Sequence, residues 1–158
     1  MRRTIYLFLI AVVFVSGCKQ LNRFHENELT LEVNNINDIL DEVSDSFQNE
    51  EVELLSRHFI TDSSLNWSLP GVAPNNSGWS GFSRNIEIHS RVRSDIERVK
   101  KERIINIDEL GNVAWFMEEN DVFFTAADSN YSYYGAVTSG VLTKSGDQWL
   151  IVQWHESY

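Results

Sequence analysis

The sequence predicts an α+β domain in which helices come first and an antiparallel sheet follows. In the first half of the chain, apolar residues recur at three- and four-residue spacing, which is the period of a helix packed on one side. In the second half, alternating β-branched and aromatic residues form runs separated by short turns that contain Gly, Asn or Asp. A length of 158 residues with 42% hydrophobic content suits one domain with its own core.

The first 17 residues are predicted to be an export signal rather than part of the fold. Two arginines precede an apolar run from Ile5 to Val15, which is short for a transmembrane helix and is followed by small residues. Residues 15–18, Val-Ser-Gly-Cys, resemble the lipobox of bacterial lipoproteins, in which the cysteine becomes the lipid-modified first residue of the mature chain. A buried thiol in an uncleaved anchor is the alternative for Cys18.

Lipidation of Cys18 predicts a protein of the bacterial cell envelope that meets the membrane through acyl chains, because several chains on one residue anchor firmly. Lys19 behind the cysteine resembles the pattern of lipoproteins sorted to an outer membrane, where the source has one. Cys18 is the only cysteine, so the domain is expected to fold without a disulfide.

A tether and three helices are predicted to precede the sheet. Residues 18–29 are polar and show no periodicity, and they are expected to form the tether to the lipid. Apolar residues at helical spacing predict a first helix over 30–47, and Asn49 is expected to cap a second, shorter one. A short strand over 66–69 is expected next.

The third helix is predicted to begin at Ser77 or Ser80 and to end in a basic stretch over 91–103. Phe82, Ile86, His89, Val92 and Ile96 would share one face of that helix, and its cations would be solvated. Four strands then follow, over 103–108, 113–125 and the two halves of 131–158, with turns at 109–112, 128–130 and 145–147.

Segments spaced along this pattern resemble the SnoaL-like branch of the nuclear-transport-factor-2-like (NTF2-like) superfamily. They are Phe59-Ile60-Thr61-Asp62, Trp67, Pro70-Gly71, a helix opened by Gly81 that carries Ile86, residues 111–115, and residues 146–157, which close on a Trp, a His and a Ser. The resemblance covers roughly Val33 to Tyr158 and defines the domain as residues 30–158. It implies a cone, in which three N-terminal helices pack on a strongly curved antiparallel sheet with a pocket at the open end.

Ten residues are candidates for the wall of that pocket. They are Asp62, Trp67, Trp79, His89, Trp115, Tyr134, Ser139, Gln153, His155 and Ser157. A period of two puts Gln153, His155 and Ser157 on one face of the last strand, which we expect to look into the cone. The opposite face is Leu150, Val152, Trp154 and Glu156, and we expect it to meet a second subunit in a homodimer formed through the sheet.

Two classes of function fit this resemblance, since relatives include polyketide cyclases, ketosteroid isomerases, dehydratases and non-catalytic proteins. An isomerase, cyclase or dehydratase would use Asp62 or His155 as general base, with His89 a further candidate and a Tyr hydroxyl as donor. Many relatives carry a pocket-facing Arg on the penultimate strand, where this chain has Thr138-Ser139-Gly140, so an anionic substrate fixed by that Arg is not expected. The favoured prediction is a lipid-anchored, non-catalytic module that binds a small, largely apolar ligand or a protein segment.

Other classes find little support in the sequence. A formal net charge of -10 without a basic stripe argues against a nucleic-acid partner. The four His residues, at 25, 58, 89 and 155, lack metal-ligand spacing, and neither a phosphate-binding glycine loop nor a GxSxG elbow is present. No metal and no cofactor is therefore predicted.

Overall fold

The computed structural model describes residues 26–72 and 78–158. In chain order its elements are α1 (Glu26–Gln48), α2 (Val52–Leu55), β1 (Asn66–Ser68), α3 (Trp79–Ser90), β2 (Ser94–Ile107), β3 (Val113–Ala126), β4 (Ser129–Ser145) and β5 (Gln148–Ser157). This order of helices followed by a curved, mainly antiparallel sheet confirms the predicted α+β class. The predicted signal, Cys18, Ser77 and the tether up to residue 25 lie outside the described residues. Among the described helices, none is both long and apolar enough to cross a bilayer.

The strands form one sheet in the order β1-β5-β4-β3-β2. Neighbours from β2 to β5 are antiparallel, as predicted, whereas β1 pairs with β5 in parallel. Register shifts near Lys101 in β2, Gly135 in β4 and Val152 in β5 each place an extra residue in one strand of a pair. Such bulges bend a strand and increase its twist, and they help to curve this sheet around α1.

Helix α1 lies on the concave face of the sheet. Its apolar stripe is buried, with Ile36 and Val43 at 0% exposure and Leu40 and Phe47 below 10%. The described part of the helix includes Glu26, so residues 26–29 are helical and not part of a tether.

The second helix is shorter than predicted and is not capped by Asn49. Helix α2 is a single turn, and Glu51 occupies its N-cap position without a side-chain hydrogen bond. The chain leaves α1 through a turn in which the N–H of Glu51 donates to the carbonyl of Ser46 at 2.9 Å and Glu50 has a φ of 62°. This turn ends α1, and it contains Glu50 and Glu51, which the sequence pattern had assigned to α2.

Residues 94–103 of the basic stretch belong to the edge strand β2, and their prediction as a solvated helix end was wrong. Helix α3 begins at Trp79 behind Gly78, so Ser80 is not its cap, and it ends at Ser90. From Ser94 the chain is extended, which places Ile96 in β2. An apolar residue every third or fourth position fits a helix, but here that spacing spans the end of a helix and the start of a bulged strand.

Beyond Ile151, the last strand directs to the inner face of the sheet the side chains that were predicted for its outer face. Trp149, Ile151, Trp154 and Glu156 are all buried on the inner face, whereas Gln153, His155 and Ser157 are exposed. Leu142 pairs with Ile151 and Val141 with Gln153, so Val152 is an extra residue that shifts the alternation by one position. A one-residue shift moves every later side chain to the other face, and the period of two therefore fails beyond Ile151.

Gly140 lets aromatic rings close over the centre of the sheet. It lies between Phe116 and Trp154 on neighbouring strands, whose ring centroids are 5.6 Å apart. A Cβ at this position would clash with the carbonyl oxygen of Gln153 and stand 2.6 Å from Cε1 of Phe116. Trp154 also contacts Phe47 and Phe59, so one aromatic cluster joins α1, the loop before β1 and the sheet.

Candidate functional site

A cleft opens at the wide end of the cone, between α3, the end of α1 and the inner face of the sheet. Its apolar wall consists of Phe47, Leu69, Pro70, Ile86, Ile96 and Val122. The cleft has a cavity volume of about 50 Å³, and it measures about 580 Å³ when the space open to solvent is included. A cavity volume of about 50 Å³ has room for roughly three or four water molecules or for one small group of a ligand.

A buried ion pair forms part of the wall. Nη2 of Arg98 lies 2.5 Å from Oε1 of Glu156, and the two side chains are only 10% and 6% exposed. Burial opposes the charge of Arg98, but the neighbouring carboxylate of Glu156 outweighs it and raises the pKa of the guanidinium. The backbone N–H of Arg98 donates to Oε1 of Gln48 at 3.0 Å, and the guanidinium carbon of Arg98 lies 5.4 Å from the ring centre of Phe47. The opposite charges of the pair offset each other, whereas Nε of Arg98 has no hydrogen-bond partner among the described residues.

His89 and Tyr158 add neutral polar groups to the cleft. Burial lowers the pKa of His89, and the nearby Arg93 lowers it further against the opposing effect of Glu156. The imidazole is therefore neutral at pH 7 and can accept a hydrogen bond. Burial raises the pKa of Tyr158, so its hydroxyl remains protonated and available as a donor. The Tyr158 ring stacks on Tyr133 with centroids 4.4 Å apart.

Further polar side chains are buried on the inner face of the sheet beside the cleft. Asn120 is 1% exposed and Thr138 is 2% exposed. Neither the amide of Asn120 nor the hydroxyl of Thr138 has a hydrogen-bond partner among the described residues, and the same holds for Nε1 of Trp154. Almost all buried polar groups in proteins are hydrogen-bonded, so these three are exceptions within the inner face of the sheet.

Of the ten predicted pocket residues, the structure places His89 in the wall of the cleft. Trp67 and Trp79 pack in the aromatic core instead, and Nε1 of Trp67 donates to the carbonyl of Gly78 at 3.1 Å. The other members, apart from Asp62, lie on the outer face of the sheet or at its rim. They are Trp115, Tyr134, Ser139, Gln153, His155 and Ser157.

Asp62 and His155, the two general bases of the catalytic hypothesis, do not meet in the cleft. Asp62 is exposed, and its carboxylate accepts hydrogen bonds from the backbone N–H and the hydroxyl of Ser64 at 2.7 and 2.5 Å. These bonds lower the pKa of Asp62. They also stabilise a local turn, so Asp62 has a structural role there. His155 is exposed opposite Ser139 on the outer face.

The sequence pattern missed Arg98, Glu156, Asn120 and Tyr158. One signal could have indicated Asn120, because Glu118 and Asn120 are polar residues at inward positions of an otherwise apolar alternation in β3. No comparable signal existed for Arg98, which was indistinguishable from its solvated basic neighbours. Glu156 could be placed only with knowledge of the bulge at Val152.

Residues 36–158 match the family model described as the SnoaL-like domain, and the chain belongs to this family. The family lies within the NTF2-like group, whose members include isomerases, dehydratases and ligand-binding proteins. This agrees with the resemblance found in the sequence. A comparison with curated proteins finds none that matches this chain.

Solved structures show the same cone. An NTF2-like superfamily protein from Salmonella enterica serovar Typhimurium has a TM-score of 0.73 at 17% identity, over 82% of this chain and 92% of that one. A candidate dehydratase of the NTF2-like family from Streptomyces avermitilis has a TM-score of 0.71 at 14% identity, over 81% and 96%. A candidate ketosteroid isomerase from Shewanella frigidimarina has a TM-score of 0.61 at 13% identity, over 76% and 92%. At such identities the similarity shows the fold alone.

Among residues 26–72 and 78–158, no cluster of three or more His, Cys, Asp or Glu side chains is arranged to hold a metal ion. The arrangement in the cleft suits non-covalent binding. It combines an apolar wall with a neutralised ion pair and a few neutral donors and acceptors, which is the usual composition of a small-molecule site.

Replacing Arg98 with Met is expected to lower the free energy of unfolding by about 3–5 kcal/mol, because Glu156 is left as a buried charge without its partner. The double variant Arg98→Met/Glu156→Leu should recover much of that loss. Urea unfolding measures both. The matched control is Lys100→Met, since Nζ of Lys100 lies 2.7 Å from Asp41 in a pair that is about half exposed. The control should cost about 0–1 kcal/mol. Equal losses for Arg98→Met and Lys100→Met would contradict a buried pair.

Proposed function

We propose that the protein binds a small, largely apolar molecule in the cleft without transforming it. The observation that carries this proposal is the apolar wall of the cleft around a fixed and neutralised ion pair. A wall of this kind gains free energy from apolar contact, while its few polar groups orient the ligand. An apolar side chain of a protein segment is the alternative occupant of the same wall.

The catalytic alternative has lost two of its three candidate bases. Asp62 and His155 lie outside the cleft, and Arg98 holds Glu156 in an ion pair, which leaves His89 in the cleft wall as the remaining candidate. An isomerase or dehydratase needs a base that reaches a proton of the substrate inside an apolar site. The names of the Streptomyces avermitilis and Shewanella frigidimarina proteins concern those proteins, and at 14% and 13% identity they do not transfer an activity.

Toluene is a suitable first probe, since it has an apolar body and no polar head. Saturation-transfer NMR should detect its binding to the protein. Ser90→Trp places an indole at the cleft wall, at the end of α3, and should weaken toluene binding about tenfold or more. Ile88→Trp is the matched control, because Ile88 lies two residues earlier on an exposed side of α3, at 49% exposure. Equal binding to Ser90→Trp and Ile88→Trp, or none to the unmodified protein, would refute the proposal.

We further propose that Cys18 is lipidated and holds the domain at a membrane of the bacterial envelope, with the outer membrane favoured where one exists. Support comes from the lipobox-like segment behind an apolar leader. Cys18→Ser should move the protein from the membrane to the soluble fraction of bacterial cells. Mass spectrometry of the unmodified protein should show acyl chains on Cys18. Retention of Cys18→Ser at the membrane would contradict this anchor.

A homodimer formed through the outer face of the sheet is the proposed quaternary structure. The predicted face fails, because Trp154 and Glu156 point inward, but the real outer face carries an apolar patch. We define this outer apolar patch as Ile104, Val113, Trp115 and Met117, which are 37–47% exposed. Met117 pairs with Ile104 across β2 and β3, and it lies beside Trp115 on the same face, so the patch is continuous.

The variant Trp115→Glu/Met117→Glu should turn a dimer into a monomer in sedimentation-velocity runs, because it places like charges from both copies opposite each other. Leu110→Glu is the control, since Leu110 is 69% exposed in the turn between β2 and β3. A monomer at tens of micromolar for the unmodified protein, or a dimer that persists in the double variant, would refute this interface.

A further inference from the structure

Arg93 is a cation in the wall of the cleft, and the chain does not neutralise its charge. Among residues 26–72 and 78–158, every ion pair involves another cation, and no carboxylate lies within ion-pair distance of the Arg93 guanidinium. The remaining residues, 1–25 and 73–77, contain neither Asp nor Glu. The acidic side chains of this chain therefore give Arg93 no counter-ion.

Local contacts hold Arg93 at the cleft. The chain turns directly after α3, where the backbone N–H of Arg93 donates to the carbonyl of His89 at 3.0 Å. The guanidinium carbon of Arg93 lies 4.4 Å from the ring centre of Phe124, which is a cation–π contact. The Phe124 ring stacks on Tyr133, which stacks in turn on Tyr158 in the cleft wall. This aromatic stack holds the cation in place without cancelling its charge.

Arg98 contributes an unused donor to the same wall. Its side chain is 10% exposed and Nη2 is engaged by Glu156, but Nε has no hydrogen-bond partner among the described residues. A buried N–H without an acceptor costs free energy, which an oxygen of a bound molecule would recover. Burial and Glu156 raise the pKa of Tyr158, and Arg98 and Arg93 oppose that rise. The two guanidinium groups therefore act on one hydroxyl of the cleft wall.

The charges of the cleft wall favour one negative charge on the ligand. Arg98 and Glu156 offset each other, which leaves Arg93 and Glu50. Glu50 is exposed, so water and salt screen its charge, whereas Arg93 is only partly exposed. A carboxylate brings a single charge to match this cation, whereas a phosphate monoester brings about two at pH 7. An ammonium group would meet Arg93 as a like charge.

We propose that the ligand of the cleft is a monocarboxylate, whose body packs on the apolar wall and whose head binds Arg93. Charge-assisted hydrogen bonds between a guanidinium and a carboxylate are strong and can be bidentate. Nε of Arg98 and the hydroxyl of Tyr158 are further donors for the head. The penultimate strand lacks an Arg for this role, and Arg93 supplies the cation from the segment between α3 and β2. This inference rests on the proposed small-molecule function and names the chemical class of its ligand.

Three probes of one shape test the charge of the head. Benzoate, benzamide and protonated benzylamine share a ring and carry an anionic, a neutral and a cationic head, respectively. Benzoate should bind to the unmodified protein about tenfold more tightly than benzamide or benzylamine in NMR titrations at pH 7. Equal or tighter binding of benzamide or benzylamine would overturn the inference.

Arg93→Met tests the residue, because it removes the charge and keeps a long unbranched side chain. It should weaken benzoate binding about tenfold and abolish the preference for benzoate over benzamide. Arg91→Met is the matched control, since it makes the same change two residues earlier, at an exposed position outside the cleft wall, and it should keep the preference. Arg93→Lys retains the charge without the planar fork and should keep part of the preference.

The outcomes separate this inference from the proposed function. A preference for benzoate that persists in Arg93→Met would reject the inference, and so would equal weakening of benzoate and benzamide, which would mean that Arg93 only shapes the cleft. If Arg93→Met fails to fold, the three probes on the unmodified protein decide. Toluene binding that Ser90→Trp abolishes, without a preference for benzoate, would leave the proposed function standing and reject the inference. Absence of binding by toluene and by all three head-group probes would reject both.

Discussion

The structure depends on how Arg103 fastens α1 to the sheet. This guanidinium is 5% exposed, and it bonds to the carbonyl and side chain of Asn37, to Asp41 and to Glu118. One planar cation thus joins the middle of the helix to the two outermost strands on that side. Buried ion pairs contribute little net stability against apolar packing, but they fix geometry, because a displaced partner would be left charged and unpaired. With α1 held over β2, the remaining inner face at the wide end is free to form the cleft.

The fold was largely predictable from the sequence, and the cleft was not. Alternation and turn residues placed β3, β4 and β5 within a few residues, and the spacing of motifs such as Gly111-Asn112 gave the family. The errors arose where one added residue reverses an alternation. The bulge at Val152 directs His155 to the outer face and Glu156 to the inner face, and no residue type in the sequence indicates a bulge at this position. In β2, cations at 98, 100 and 103 look solvated until the acids of α1 and β3 are placed opposite them.

His89 is the predicted pocket residue that reaches the cleft, and its placement has a simple origin. It extends the apolar stripe of Phe82 and Ile86 by one step of a helix, so its direction depended on a local period alone. The placement of Asp62 and Ser139 depends on pairing between distant segments of the chain, and a single sequence does not show which segments pair. Binding residues contributed by bulged strands are therefore the least predictable, even when the fold is recognised.

Strand β2 has a further consequence for how copies of this domain can associate. It is the long free edge of the sheet, and exposed edges can pair with other chains and aggregate. Here the edge carries Glu97, Lys101 and Glu102 as exposed charges, and a bulge at Lys101 interrupts it. The side chain of Gln48 accepts a hydrogen bond from the backbone N–H of Arg98, so this N–H is not available to another strand. These features oppose strand-to-strand addition. Copies of this domain at high concentration are thereby protected from growing into a continuous sheet.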